Sequence, residues 1–167
     1  MGFNYNALDS FEFETLACDI TEMITGVKLS CYTAGADGGV DASDFYYQKC
    51  QQSRVVMQAK HWTRYVSPKQ WDDTVSGLVM RLKNANKVPT DKLVIVTSAG
   101  LTEDVQRRMV DSAESLGINC CIVIDSVKLD GFLNREENKA ILKRHFKLWI
   151  AGTNVLSLML NRSLDID

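Results

Sequence analysis

Apolar residues along the chain change spacing several times, and each change marks an element. Phe13, Leu16, Ala17, Ile20, Met23 and Ile24 recur three or four positions apart, which gathers them on one face of a helix over Ser10–Thr25. Asp9 followed by Glu12 has the form of a capping box, with Asp in the place of Ser or Thr. The pattern over 27–33 then reads as a strand. Gly35-Ala36-Asp37-Gly38-Gly39 reads as a tight turn, its glycines open to backbone angles that other residues avoid. Residues 40–47 and 54–60 read as a second and a third strand, the latter carrying Val55-Val56-Met57. Pro68 opens a second helix whose Trp71, Val75, Leu78, Val79 and Leu82 share a face.

The distal half repeats a strand-helix theme. Leu93-Val94-Ile95-Val96 is an unbroken apolar run of the kind buried on both faces of a sheet. Thr102 is placed to cap a helix carrying Val105, Met109, Ala113 and Leu116, which Gly117 stops. Residues 118–124 predict another buried strand, and a last helical region is expected from about Arg135 to about Trp149, with a continuation toward Leu160. Helix, three strands, helix, strand, helix, strand, helix predicts an α/β sandwich around a central mixed sheet flanked by helices. The core is expected over residues 1–134, with 135–167 a helical extension that could link to further domains.

Composition narrows the class. The chain has 167 residues, 46% of them hydrophobic and 24% charged, which suits one folded domain and not a disordered chain. Its five cysteines, none in a C-x-x-C pair, suit reduced thiols in a cytoplasm better than a disulfide framework, and two histidines give zinc little support. No signal peptide or membrane-length apolar run is found, since 148–160 is short and broken by Gly152, Thr153 and Asn154. The net charge of −2 argues mildly against unaided binding to DNA, where a basic excess is the rule.

Chemistry concentrates between positions 35 and 60. Asp41 follows the glycine turn at a strand start, and Gln58 and Lys60 share a face at the end of the next strand. Strands in a hairpin lie about 5 Å apart, so an acid, an amide oxygen and an ammonium can converge there. Such a set suits Mg²⁺-dependent phosphodiester hydrolysis: the cation takes hard oxygen ligands, acidifies a water and offsets phosphate charge, while the lysine orients that water. Glu12-Phe13-Glu14, Gly35-Ala36-Asp37-Gly38-Gly39-Val40-Asp41 and Val56-Met57-Gln58-Ala59-Lys60 together resemble the Mrr-like branch of the PD-(D/E)xK restriction-endonuclease-like nucleases. The likeness extends over roughly residues 10–133. It implies a restriction-endonuclease-like α/β fold, Asp41 as metal-binding acid, Lys60 as catalytic lysine, Gln58 in the place of the usual glutamate, and Glu14 as the helix glutamate with Glu12 as fallback. The Ala59 carbonyl is a further candidate ligand. With glutamine for glutamate the metal site loses one negative charge, which predicts weaker metal binding and one ion in place of two.

Each feature also has a plainer explanation. Asp37 beside glycine is an ordinary turn residue. Lys60 could guard a strand edge, yet the apolar residues before it point to a central strand. Glu14 could serve the helix dipole. His61, Arg64 and Lys69 follow the catalytic strand and are candidates for holding nucleic-acid phosphates, with Trp62 and Tyr65 read as packing. Arg107 and Arg108 read as solvated, and Cys120-Cys121 as packing within a strand. Thr97-Ser98-Ala99-Gly100 lacks the form of a serine-hydrolase elbow.

The resulting expectation is an Mg²⁺-dependent endonuclease, with Mn²⁺ able to substitute. Its substrate is expected to be double-stranded DNA; a branched, single-stranded or RNA substrate stays open. A homo-oligomer fused to a sensor or ATPase domain is expected, as in antiphage and restriction systems, because avidity would offset the weak net charge. The alternative is a catalytically inactive relative used for oligomerisation or nucleic-acid binding; the intact Asp41 and Lys60 favour the enzyme.

Overall fold

In a computed structural model, residues 2–31, 42–44, 55–62, 64–84, 91–145 and 147–148 are described, with 31 and 42–44 described through their backbone. Among the described residues the α-helices and strands follow one another as α1 (Ser10–Thr25), β1 (Leu29–Cys31), β2 (Ala42–Asp44), β3 (Val55–Lys60), α2 (Pro68–Asn84), β4 (Lys92–Thr97), α3 (Glu103–Ser115), β5 (Cys120–Ile124), α4 (Ser126–Leu133) and α5 (Lys139–Arg144). The five strands lie in sequence order in one sheet. β1, β2 and β3 pair antiparallel, while β3, β4 and β5 pair parallel, so the sheet is mixed and β3 is its central strand.

Local chemistry explains most boundaries. Asp9 accepts from the Glu12 N–H at 2.8 Å and Glu12 from the Asp9 N–H at 2.7 Å, the reciprocal capping that the sequence predicts for α1. A second reciprocal cap, Ser67 with Gln70, precedes α2. Thr102 caps α3 through the Val105 N–H, and Gly117 takes φ 108° just beyond its end. β1 begins at Leu29 rather than at residue 27, because the Val27 N–H goes to the Thr25 hydroxyl and the Leu29 N–H to Glu22. β5 begins at Cys120 rather than at 118, since Ile118 donates back to the Ala113 carbonyl.

The C-terminal region departs further from the periodicity. α4 is an element it does not predict, being short, running through Gly131 and anchored by Leu129 and Leu133. In place of one unbroken helix over 135–149, a 3₁₀ turn at Glu136–Asn138 leads into α5, which ends at Arg144 with His145 as its C-cap before helical geometry returns at 147–148. His145 turns inward, 7% exposed, and bonds Asp19 of α1 at 2.8 Å, which draws the chain out of helical geometry. The expected continuation beyond Leu148 lies outside the described residues.

Two apolar layers sandwich the sheet. One joins Phe13, Leu16, Ala17 and Ile20 of α1 to Val55, Met57 and Ala59 of β3, with Val94, Val96, Ile124, Leu129 and Leu133. The other joins Trp71, Val75, Leu78 and Leu82 of α2 and Met109 and Ala113 of α3 to Val56, Leu93, Ile95 and Val123. Alternation along β3 therefore gives one face to α1 and the other to α2 and α3. No helix among the described residues is long and apolar enough to cross a membrane.

Candidate active site

β3 carries the candidate residues Gln58, Ala59 and Lys60. Val55 to Ala59 are buried, as expected for a strand with neighbours on both sides, and Lys60 is half-buried at the strand's end. Parallel pairing sets Gln58 against Ile95, Ala59 against Val96 and Lys60 against Thr97. Gln58 is 5% exposed and its Oε1 is shut off from water, while its Nε2 donates to the Ala59 carbonyl at 3.3 Å. A buried amide in the middle of Val-Val-Met-Gln-Ala costs desolvation that packing alone does not require. With Val56, Gln58 and Lys60 occupy the face toward α2 and α3.

The antiparallel ladder with β2 runs Ser43 against Val56 and Ala42 against Met57. It brings the described chain to within one residue of Asp41 on one strand and of Gln58 on the other. Asp41 itself, Asp37 and the glycine turn 35–39 lie outside the described residues.

Glu14 sits half-buried on α1, the helix over the opposite sheet face. Its neighbour Phe13 stacks on His61 with ring centroids 5.0 Å apart, which sets this turn of α1 beside the end of β3. Glu12, the fallback, is committed elsewhere: it closes the α1 capping box and pairs with Lys147 at 2.8 Å. That pairing, with the Asp9 N–H, holds its carboxyl below the usual carboxylate range.

His61 is half-buried against Phe13, and its Nε2 lies 2.9 Å from the Tyr5 carbonyl oxygen, so its ring fastens the end of β3 to the N-terminal segment. Arg64 and Lys69 are exposed beyond it. Arg107 and Arg108 pair with Asp104 and Asp72, and the Cys121 thiol, pushed up to about 12 by burial, stays protonated in the core.

Several framework residues escaped the sequence reading. The Ser98 hydroxyl accepts from the Trp62 N–H at 2.9 Å and donates to the Trp62 carbonyl at 3.1 Å, clasping the exit from β3 to the exit from β4. Asp125, 1% exposed, accepts from the N–H groups of Leu101 and Lys128 and knits the exits of β4 and β5. Its place directly after a buried strand and before an i, i+4 leucine pair is the signal that could have found it. The Tyr5 hydroxyl donates to Asp130 at 2.6 Å, and burial pushes its pKa upward.

The Gln58 carboxamide oxygen and the Ala59 carbonyl are hard oxygen donors of the kind that suit Mg²⁺. No group of three or more His, Cys, Asp or Glu side chains comes together among the described residues.

Comparison with known proteins identifies the family. Residues 5–130 match the Mrr catalytic-domain family, described as restriction endonuclease. An uncharacterised protein, y4cD of Sinorhizobium fredii, is 27% identical over 160 residues, which cover 93% of this chain and 23% of that protein. The chain thus spans about a quarter of the length of the curated relative it matches. With its family model spanning α1 through most of α4, the chain belongs to the Mrr-type restriction-endonuclease family.

Proposed function

We propose that the chain is a metal-dependent endonuclease that hydrolyses DNA phosphodiester bonds at the end of β3. The observation that carries this reading is Gln58-Ala59-Lys60 on the central strand of a domain of this family, with its polar pair set among buried apolar residues. Asp41, the Gln58 amide oxygen and the Ala59 carbonyl would hold the cation, and Glu14, on the helix over the other sheet face, would reach it through water around the end of β3, where Phe13 meets His61. A bound Mg²⁺ would supply charge neutralisation at the phosphate and an acidified water.

The chain's own groups do the rest. Lys60 donates from Nζ to a non-bridging phosphate oxygen and aligns the attacking water, worth roughly a hundred- to a thousand-fold in rate. Lys69 holds a flanking phosphate as a positioning charge, and Arg64 meets the bound strand beside it. His61 acts indirectly, fixing the strand end through Phe13 and Tyr5. Exchanging glutamate for Gln58 leaves one fewer charge at the cation, so half-saturation needs more Mg²⁺ than a Glu-x-Lys site would.

The substrate is double-stranded DNA, cut by a homo-oligomer, and the chain acts as the effector of a larger antiphage or restriction protein. Support comes from the short span of the relative that it matches and from its net charge of −2, which calls for avidity.

The test is supercoiled plasmid with wild-type protein, Asp41→Ala and Lys60→Ala, in Mg²⁺, Mn²⁺ or EDTA. Nicking or linearisation in either metal, absent in EDTA and reduced at least about a hundred-fold in both variants, is the expected result. Silence of the wild type even when artificially dimerised would show a catalytically inactive module instead.

A further inference from the structure

Beyond Lys60 the chain runs along the rim of a hollow of about 220 Å³, bounded by Trp62, Arg64, Val66, Gln70, Asp73 and Thr74. Two residues of extended chain cover about 6.6 Å, so Trp62 stands close to the proposed catalytic lysine. The walls are held in place. Trp62 rests against buried Trp71 with ring centroids 4.5 Å apart, and the Ser98 hydroxyl fixes both its N–H and its carbonyl. The reciprocal cap of Ser67 and Gln70 pins the start of α2.

The polar inventory is mixed. Arg64 brings donors and Asp73 acceptors. Gln70 spends its Oε1 on the Ser67 N–H, leaving Nε2 as the donor for a ligand. The Thr74 hydroxyl donates to the Gln70 carbonyl at 2.7 Å, leaving its lone pairs to accept. A phosphate would meet the Asp73 carboxylate and an indole, which it disfavours. The hollow is also smaller than the roughly 300–1,000 Å³ of ordinary small-molecule sites. A flat ring with donors and acceptors on its edge fits both its size and its lining.

We propose that this hollow takes one unstacked nucleobase of the bound strand, with guanine its best complement. The inference rests on the nuclease reading above. Arginine donates to the guanine O6 and N7 acceptors, and a carboxylate accepts from the N1 and N2 hydrogens. Thymine offers no amine to Asp73. Tyr65, 83% exposed beside Arg64, gives a neighbouring base a ring to stack on.

The experiment measures equilibrium binding, in EDTA, of a short single-stranded thymidine tract with or without one central guanine, and of the two corresponding duplexes. Wild-type protein should prefer the guanine strand about tenfold, and Asp73→Ala and Arg64→Ala should each bring that ratio close to one. Preference in the single strands alone assigns a base already unpaired; preference in the duplexes too assigns a flipped one. Strands bound without base preference, or a preference surviving in both variants, would overturn the pocket and leave the nuclease reading standing. Failure to bind any strand, coupled with failure to cut plasmid, would overturn both.

Discussion

Gln58 and Asp125 are both polar, both almost fully buried, and both lie at or near the carboxyl ends of parallel strands in one sheet. Their surroundings differ. Asp125 collects the Leu101 N–H at 3.0 Å, the Lys128 N–H at 3.1 Å and the Gln106 amide at 3.4 Å, so it caps α4 and closes the loop leading to α3. Every one of those contacts holds backbone or a neighbouring helix in place. Gln58 stands within a strand, between Met57 and Ala59, and its amide donates to the adjacent carbonyl. Burial of a polar group serves the architecture at Asp125, whereas at Gln58 the proposed function assigns it to the chemistry. What separates them is whether the scaffold needs the group.

The comparison breaks most visibly at Asp125. Asp125→Ala strands two backbone donors at once, and the expected loss of stability is about 3 kcal/mol. Urea unfolding would measure it, alongside cleavage at a temperature where the variant is still folded. Cleavage per folded molecule should stay near wild type. A stable variant with lost cleavage would make Asp125 part of the chemistry and erase the distinction.

Gln58→Glu probes the other half. If Gln58 belongs to a cation site, a carboxylate there restores the missing charge, and half-maximal cleavage should need about tenfold less Mg²⁺. The same carboxylate without metal is a buried charge, so in EDTA the variant should melt below wild type and recover when Mg²⁺ is added. Melting that falls equally with and without Mg²⁺, at unchanged metal dependence, would place Gln58 with Asp125 as a framework residue.

The same contrast explains what the sequence disclosed. Order, type and capping of most elements were legible because each rests on local rules: Asp9 and Glu12 for α1, Thr102 for α3, an unbroken apolar run for β4. Gln58 and Lys60 stand out as candidates because a polar pair follows Val55-Val56-Met57. The residues that escaped are the ones whose partners are far along the chain. Ser98 meets Trp62, Asp130 meets Phe3 and Tyr5, and His145 meets Asp19 across 126 positions; no local periodicity encodes such meetings. α4 escaped for a related reason, since its short helix depends on a cap supplied by Asp125 and on packing against the sheet. His61 was legible as basic and aromatic, but its stacking on Phe13 follows only from the fold.

Glu12 and Glu14 offer the smallest and sharpest version of the comparison, two carboxylates on one helix turn. Glu12 is the framework member: the Lys147 ammonium and the Asp9 N–H hold its carboxyl below the usual range. A carboxyl depressed in the folded state adds stability that is present above its unfolded pKa and lost as pH falls through the folded value. Glu12→Gln should therefore melt slightly below wild type near neutral pH, and the gap should close as pH drops below about 4. Because the pair is exposed, the gap should also shrink in high salt. Its cleavage rate should match wild type at every pH where both are folded, whereas Glu14→Gln should raise the Mg²⁺ requirement and leave the melting gap flat. Glu12→Gln with a shifted Mg²⁺ requirement would move the helix acid of the site from Glu14 to Glu12, two residues back along α1 and onto the face that Lys147 now covers.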